Sequence, residues 1–219
     1  MSGSSNRSNW PIAAAAAIYA LAGAIAISLD SPAKGWAILI CSVGGVVGVC
    51  ALAKVTDRTE WLAALSVLVP ISIFQVFPDW MLAKIVGSIE FPDNGGLRID
   101  AVIPLAMAGL WVLPLLIVVL VARGSLWRGA LASTIVFAAT EVAAPHIGVW
   151  HPAGDVSELL GIAVYVLPAE AALGAAVVYA VRVAADAGWA TKLTAAAAVS
   201  IFYSGALAIS ALLIDNVSI

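Results

Sequence analysis

Three stretches of this chain, 10–29, 36–53 and 101–122, contain no charged residue. Each is close to the ~20 apolar residues a helix needs to cross ~30 Å of hydrocarbon. Inside hydrocarbon every backbone N–H and C=O must be satisfied within the protein, so a helix is the natural form of each run. Composition agrees: of 219 residues, 63% are hydrophobic and 11% charged, whereas soluble domains are roughly half apolar and a quarter charged. The sequence predicts an all-α fold, a polytopic membrane protein forming one bundle of about seven transmembrane helices over residues 1–219.

The expected spans are 10–29, 36–53, 61–77, 101–122, 129–144, 157–184 and 190–214, with 78–89 read as a short amphipathic or re-entrant helix. Residues 90–100 read as a polar loop turning at Gly95-Gly96. Pro70 is expected to kink the third span and Pro145 to close the fifth. The first apolar run is too long for a signal-peptide core and reads as a retained span. Gly44, Gly45 and Gly48 suit close helix packing, and Cys41 and Cys50 are read as small packing residues. No basic run points to nucleic acid, and no period of about 20–50 residues stands out as a repeat. With the N-terminus cytoplasmic, Arg7, Lys54, Arg58, Arg123, Arg128, Arg182 and Lys192 are inside. Lys34, Lys84 and Arg98 are then outside, so the positive-inside rule favours N-in and, with seven spans, C-out. Trp10, Trp36, Trp61, Trp80, Trp127, Trp150 and Trp189 fall near span ends as an interfacial belt would, while Trp111 lies deep in the fourth span.

Five acids interrupt these apolar helices or mark their ends: Glu60, Asp79, Glu141, Glu170 and Asp215. An ionisable side chain within a bilayer costs at least ~2.5–3.5 kcal/mol, so it faces an interior and does something there. Almost no basic residue shares the spans, and a desolvated carboxyl without a cation beside it stays neutral. The expectation is a set of neutral acids able to donate a proton, without a metal or other cofactor. Pro168 and Gly174 flank Glu170 and are read as leaving room beside it. Asp79 also has a plainer reading, as the N-cap of a helix from Trp80, and Glu60 as a first-turn acid. Trp61, Trp80, Trp111, Trp150, Tyr165, Phe202 and Tyr203 are candidates to line a pocket and stabilise a cation through their ring faces. Each also has an ordinary reading as packing or belt. His146 and His151, five apart around Gly148, read as part of a loop closing the cavity mouth rather than as metal ligands. Lys192 lies at the start of its span, which argues against a retinal Schiff base.

The seven-span layout with scattered intramembrane carboxyls and no metal motif resembles the membrane-bound terpene cyclases. That family includes the fungal pyripyropene-type meroterpenoid cyclases and the bacterial drimentine-type cyclases of farnesylated indoles. Gly148, Trp150, Pro168 and Glu170 also look like the Gly-x-Trp…Pro-x-Glu pattern of seven-span lycopene cyclases, although Ala171 stands where those carry a second acid. The resemblance implies that Glu60, beside Trp61, and Asp215 in the last helix are the acids, although the family's tryptophan precedes its glutamate. It further implies a bacterial cytoplasmic membrane, a prenylated aromatic small-molecule substrate and protonation-initiated cyclisation of its prenyl chain, for which farnesyl on an indole is the leading case. The residues alone favour a different grouping, because Asp79, Glu141, Glu170 and Asp215 fall in the outer half and Glu60 in the inner. A carotenoid cyclase, a small proton-coupled transporter and a structural membrane partner are the rival readings.

Overall fold

The computed structural model describes residues 10–215. Its helices are α1 (Trp10–Ser28), α2 (Ala33–Val55), α3 (Thr59–Phe74), α4 (Val76–Trp80), α5 (Met107–Leu110), α6 (Val112–Ala122), α7 (Leu126–Ile147), α8 (Val166–Ala184) and α9 (Trp189–Asp215). A π-helical turn, Met81–Val86, continues α3 and α4. Among the described residues, six helices are long and apolar enough to cross a membrane: Trp10–Ser28, Ala33–Val55, Thr59–Val86, Leu126–Ile147, Val166–Ala184 and Trp189–Asp215. Met107–Ala122 is a shorter apolar helix and completes an all-α bundle of seven. Arg7, counted in the charge asymmetry, lies outside the described residues.

The helix from Thr59 is central: half of its apolar window is buried, against 6% for α1, which packs on α2 at the edge. Around it pack α6, α8 and α9, and α7 lies against α6 and α8. Small residues set the α7–α8 distance. A Cβ on Gly129 would stand 2.6 Å from Val178, and one on Gly174 would collide with the Gly129 backbone and Ser133. Gly174 therefore serves helix packing rather than opening space beside Glu170, as close backbone approach requires. Gly45 likewise admits the Tyr19 ring, while Gly44 and Gly48 face open space.

One end of the bundle has short connections, 56–58, 123–125 and 185–188; the other carries a folded cap. In the cap β1 (Ile89–Glu90) pairs antiparallel with β4 (His151–Pro152), joining two loops far apart in sequence. The Lys34 ammonium donates to Ile147 O (2.5 Å) and the Asn94 amide to Gly148 O (2.6 Å). Arg98 donates to the carbonyls of Phe91, Pro92, Ala101 and Val102, tying the 91–102 loop to one guanidinium.

Two expected helix starts are displaced by hairpins. Residues 98–104 form β2 (Arg98–Ile99) and β3 (Ile103–Pro104), and 158–163 form β5 (Glu158–Leu159) and β6 (Ile162–Ala163). Their central residues, Asp100-Ala101 and Leu160-Gly161, all have positive φ, the geometry that matches the twist of a tight hairpin. The fourth span thus begins at Met107 and the sixth at Val166, not at 101 and 157. Trp111 consequently sits one turn inside its helix rather than deep in it. Residues 78–86 are no re-entrant element but continue the third span, and α7 runs through Pro145 to Ile147.

The hairpins expose an internal correspondence that sequence periodicity does not. In 59–122 a long helix, a cap strand, a hairpin and a helix follow one another, and 126–184 repeats that order. Asp79 precedes β1 by ten residues, and Glu141 precedes β4 by ten. Trp111 and Glu170 each follow the start of their hairpin's second strand by eight. The β1–β4 register obeys the same relation, since Ile89↔Pro152 maps onto His151↔Glu90. The two units thus correspond in element order and spacing, and β1 and β4 pair with twofold-symmetric register.

Candidate functional site

The site lies where the two units meet beneath the cap. Asp79 is buried at 5% exposure and accepts a hydrogen bond at Oδ2 from Trp111 Nε1 (3.3 Å). It stands inside a helix rather than capping one, and Pro78 beside it accounts for the break. Pro78 has no N–H for Phe74 O, and Ser200 Oγ donates to that carbonyl instead (2.9 Å). Glu141, on the equivalent turn of α7, accepts at Oε1 from Trp150 Nε1 (3.1 Å). Two carboxyls in matching positions are thus each held by an indole N–H, which leaves the remaining lone pairs for other partners.

Glu170 is 1% exposed, one turn into α8, with Pro168 in the first turn where a proline costs no hydrogen bond. Its Oε2 has no partner among the described residues. Glu141 is within electrostatic reach of Asp79, Glu170, Tyr165 and Tyr203. Asp215 belongs to the rim: its Oδ1 accepts from the Ser157 N–H (2.8 Å), tying α9 to the cap, and Oδ2 is buried without a partner. It lies within electrostatic reach of Tyr165. Among the described residues no lysine, arginine or histidine forms an ion pair with any of these four acids.

Glu60 is not part of this group. It is exposed in the first turn of α3, and Asp79 lies 19 residues further along the same helical span, roughly 28 Å away at 1.5 Å per residue. Trp61 stays at that end, half-buried, with the Arg58 guanidinium 5.1 Å from its ring. Phe202 is 53% exposed on the outer face of α9 and lines no interior. Trp80 donates to Asp100 Oδ2 (3.0 Å) and stacks on Phe77, so it serves the cap edge. Trp111, Trp150, Tyr165 and Tyr203 do reach the site. Trp111 lies 4.8 Å from the Phe137 ring and meets Tyr203 edge-on at 6.0 Å. Tyr165 shares a 2.7 Å hydrogen bond with Ser88. Trp80 and Trp150 thus donate to carboxyl groups instead of marking a simple belt.

His146 bonds Val142 O on its own helix (2.8 Å), whereas His151 stands 3.6 Å from Glu90 across β1–β4 and serves the cap. No cluster of metal-ligating side chains occurs among the described residues. Phe137, Ser72, Ser88 and Gln75 escape sequence reasoning. The last is readable in retrospect, because Ser72, Gln75 and Asp79 recur at helical spacing on one face. Outside the break, Ile73, Phe74, Val76, Phe77, Trp80 and Ile99 line a surface groove of about 400 Å³.

No curated protein and no solved structure matches this chain. One family model does, over residues 76–214, a range that holds Asp79, Glu141, Glu170, both cap strands and both hairpins. The chain belongs to the family described as a domain of unknown function (DUF6989).

Proposed function

We propose that this protein is a membrane-integrated terpene cyclase. In this reading a neutral carboxylic acid protonates a terminal alkene, or an epoxide, of a prenyl chain, with farnesyl on an indole or other aromatic head group as the leading substrate. Internal alkenes attack the resulting tertiary cation, and a second group, ionised as a carboxylate, or a water held by it, takes the final proton. The observation that carries the reading is the group of buried Asp79 and Glu170 with half-buried Glu141, all without a cationic partner, around the Trp111, Phe137 and Tyr203 rings. Acid and base roles follow when carboxyls sit in unlike surroundings. Glu141 and Asp79 each hold an indole N–H, whereas Glu170 Oε2 has no partner, and Glu170 is assigned as the acid. The ring faces stabilise the cation, and a closed, apolar surround protects it from water. The groove beside the α3–α4 break gives an apolar substrate a lateral approach from the bilayer to the helix that carries Asp79. The protein sits in the bacterial cytoplasmic membrane with its N-terminus inside.

Glu170→Gln tests the assignment, because it keeps the shape and removes the proton. Turnover of a farnesylated indole is expected to fall by at least about a hundredfold, with helix content and thermal midpoint unchanged. An active Gln variant removes Glu170 from the role.

The twofold correspondence favours one second reading, a small proton-coupled carrier. Many carriers place their binding site at the interface of two repeats. Here the helix breaks, at Gln75 and Trp111, fall in the first unit alone, whereas α7 and α8 are continuous. Carriers use broken helices in both halves, which keeps the cyclase first. A lycopene-type cyclase shares the chemistry but calls for a second acid where Ala171 stands.

A further inference from the structure

The acids are not the only buried polar groups left without partners. Gln75 and Ser72 are both fully buried, and neither the Gln75 amide oxygen, its nitrogen nor the Ser72 hydroxyl has a hydrogen-bond partner among the described residues. An orphaned amide in a low-dielectric interior is costly, and native proteins keep one where something else satisfies it. Three further facts place Gln75 at the site. Ser72, Gln75 and Asp79 recur at i, i+3 and i+7, one face of one helix. The α-helix is interrupted at Gln75 and becomes π-helical from Met81, six residues beyond it, an irregularity frequent at functional positions. The twofold relation also maps Gln75 onto Phe137, whose ring lies 4.8 Å from Trp111.

We infer that Ser72 and Gln75 form a neutral hydrogen-bonding subsite, about a turn deeper than Asp79, that takes a small hydroxyl-bearing group. The amide offers both a donor and an acceptor, and the serine offers either. The complement is an O–H group, which both gives and receives, while a cation or an anion would be left without a countercharge. Water and the hydroxyl of a lipid-soluble alcohol share that chemistry. This binding property stands independently of turnover, so it survives if the cyclase reading fails.

The test uses the full chain in lipid nanodiscs. A bromine-tagged long-chain alcohol and the matching bromoalkane are compared as quenchers of tryptophan fluorescence, each corrected for partition into lipid. In parallel, hydroxyl-radical labelling by X-rays reads water beside Ile71, which is fully buried one turn before Gln75. Wild type is expected either to prefer the alcohol over the alkane by about tenfold, or to show Ile71 labelled despite its burial. The first outcome assigns the subsite to an alcohol and the second to water. Gln75→Leu is expected to abolish whichever signal wild type shows, and Gln75→Glu, a neutral acid of the same shape, to retain it. Unchanged thermal midpoints show that each variant folds. Absence of both signals in wild type, or their persistence in Gln75→Leu, overturns the inference.

Discussion

At the residue scale the decisive contrast is between two acids on one helix. Asp79 is buried with an indole N–H on it, and Glu60, near the start of the same helix, is exposed. Asp79→Asn is therefore expected to impair turnover by about tenfold or more, and Glu60→Gln to leave it within about twofold of wild type. Side-by-side assays of purified protein decide this, and a dead Glu60→Gln alongside an active Asp79→Asn would reverse the assignment. That Asp79, Glu141 and Glu170 belong together was legible in the sequence, since charge inside apolar runs is rare and depth can be counted along a helix. Which aromatics attend them was not. Trp111 and Phe202 look alike in sequence, and only the rotation of each helix decides that one meets Asp79 while the other faces lipid.

At the element scale, the long helix from Thr59 depends on a repair made by a neighbour. Pro78 strands the Phe74 carbonyl, and Ser200 on α9 donates to it. Ser200→Ala should cost about 1 kcal/mol, read as a lower unfolding midpoint in detergent titration. Gly174→Val should cost more, ~1–3 kcal/mol, because its side chain enters the Gly129–Ser133 contact between α7 and α8. The spans themselves were readable because hydrocarbon fixes both their length and their helical form. The hairpins before α5 and α8 were not. Their turns place Asp100, Ala101 and Leu160 at positive φ with only Gly161 as a local signal, so tertiary pairing overrides the apolar run that reads as helix. The same hairpins carry the twofold correspondence, hidden in sequence because the two units match in spacing while their side chains differ, Gln75 standing opposite Phe137.

At the scale of the whole molecule, one end is short-looped and basic and the other is a cap stitched by β1–β4, Lys34, Asn94 and Arg98. With Cys41 and Cys50 replaced, a cysteine at Asp155 should react with an impermeant maleimide on intact cells, and one at Gly124 only after lysis. The opposite pattern would invert the topology and put the acids at the cytoplasmic end. In the proposed reaction buried neutral carboxyls start a carbocation cyclisation. Its most direct measurement is the incubation of membranes containing the protein with a farnesylated indole in heavy water, followed by mass spectrometry. The expected product is isomeric with the substrate except for one carbon-bound deuterium, and is absent when Glu170→Gln membranes are used. Recovery of unchanged, unlabelled substrate from a panel of prenylated aromatics and lycopene would contradict it and turn attention to transport.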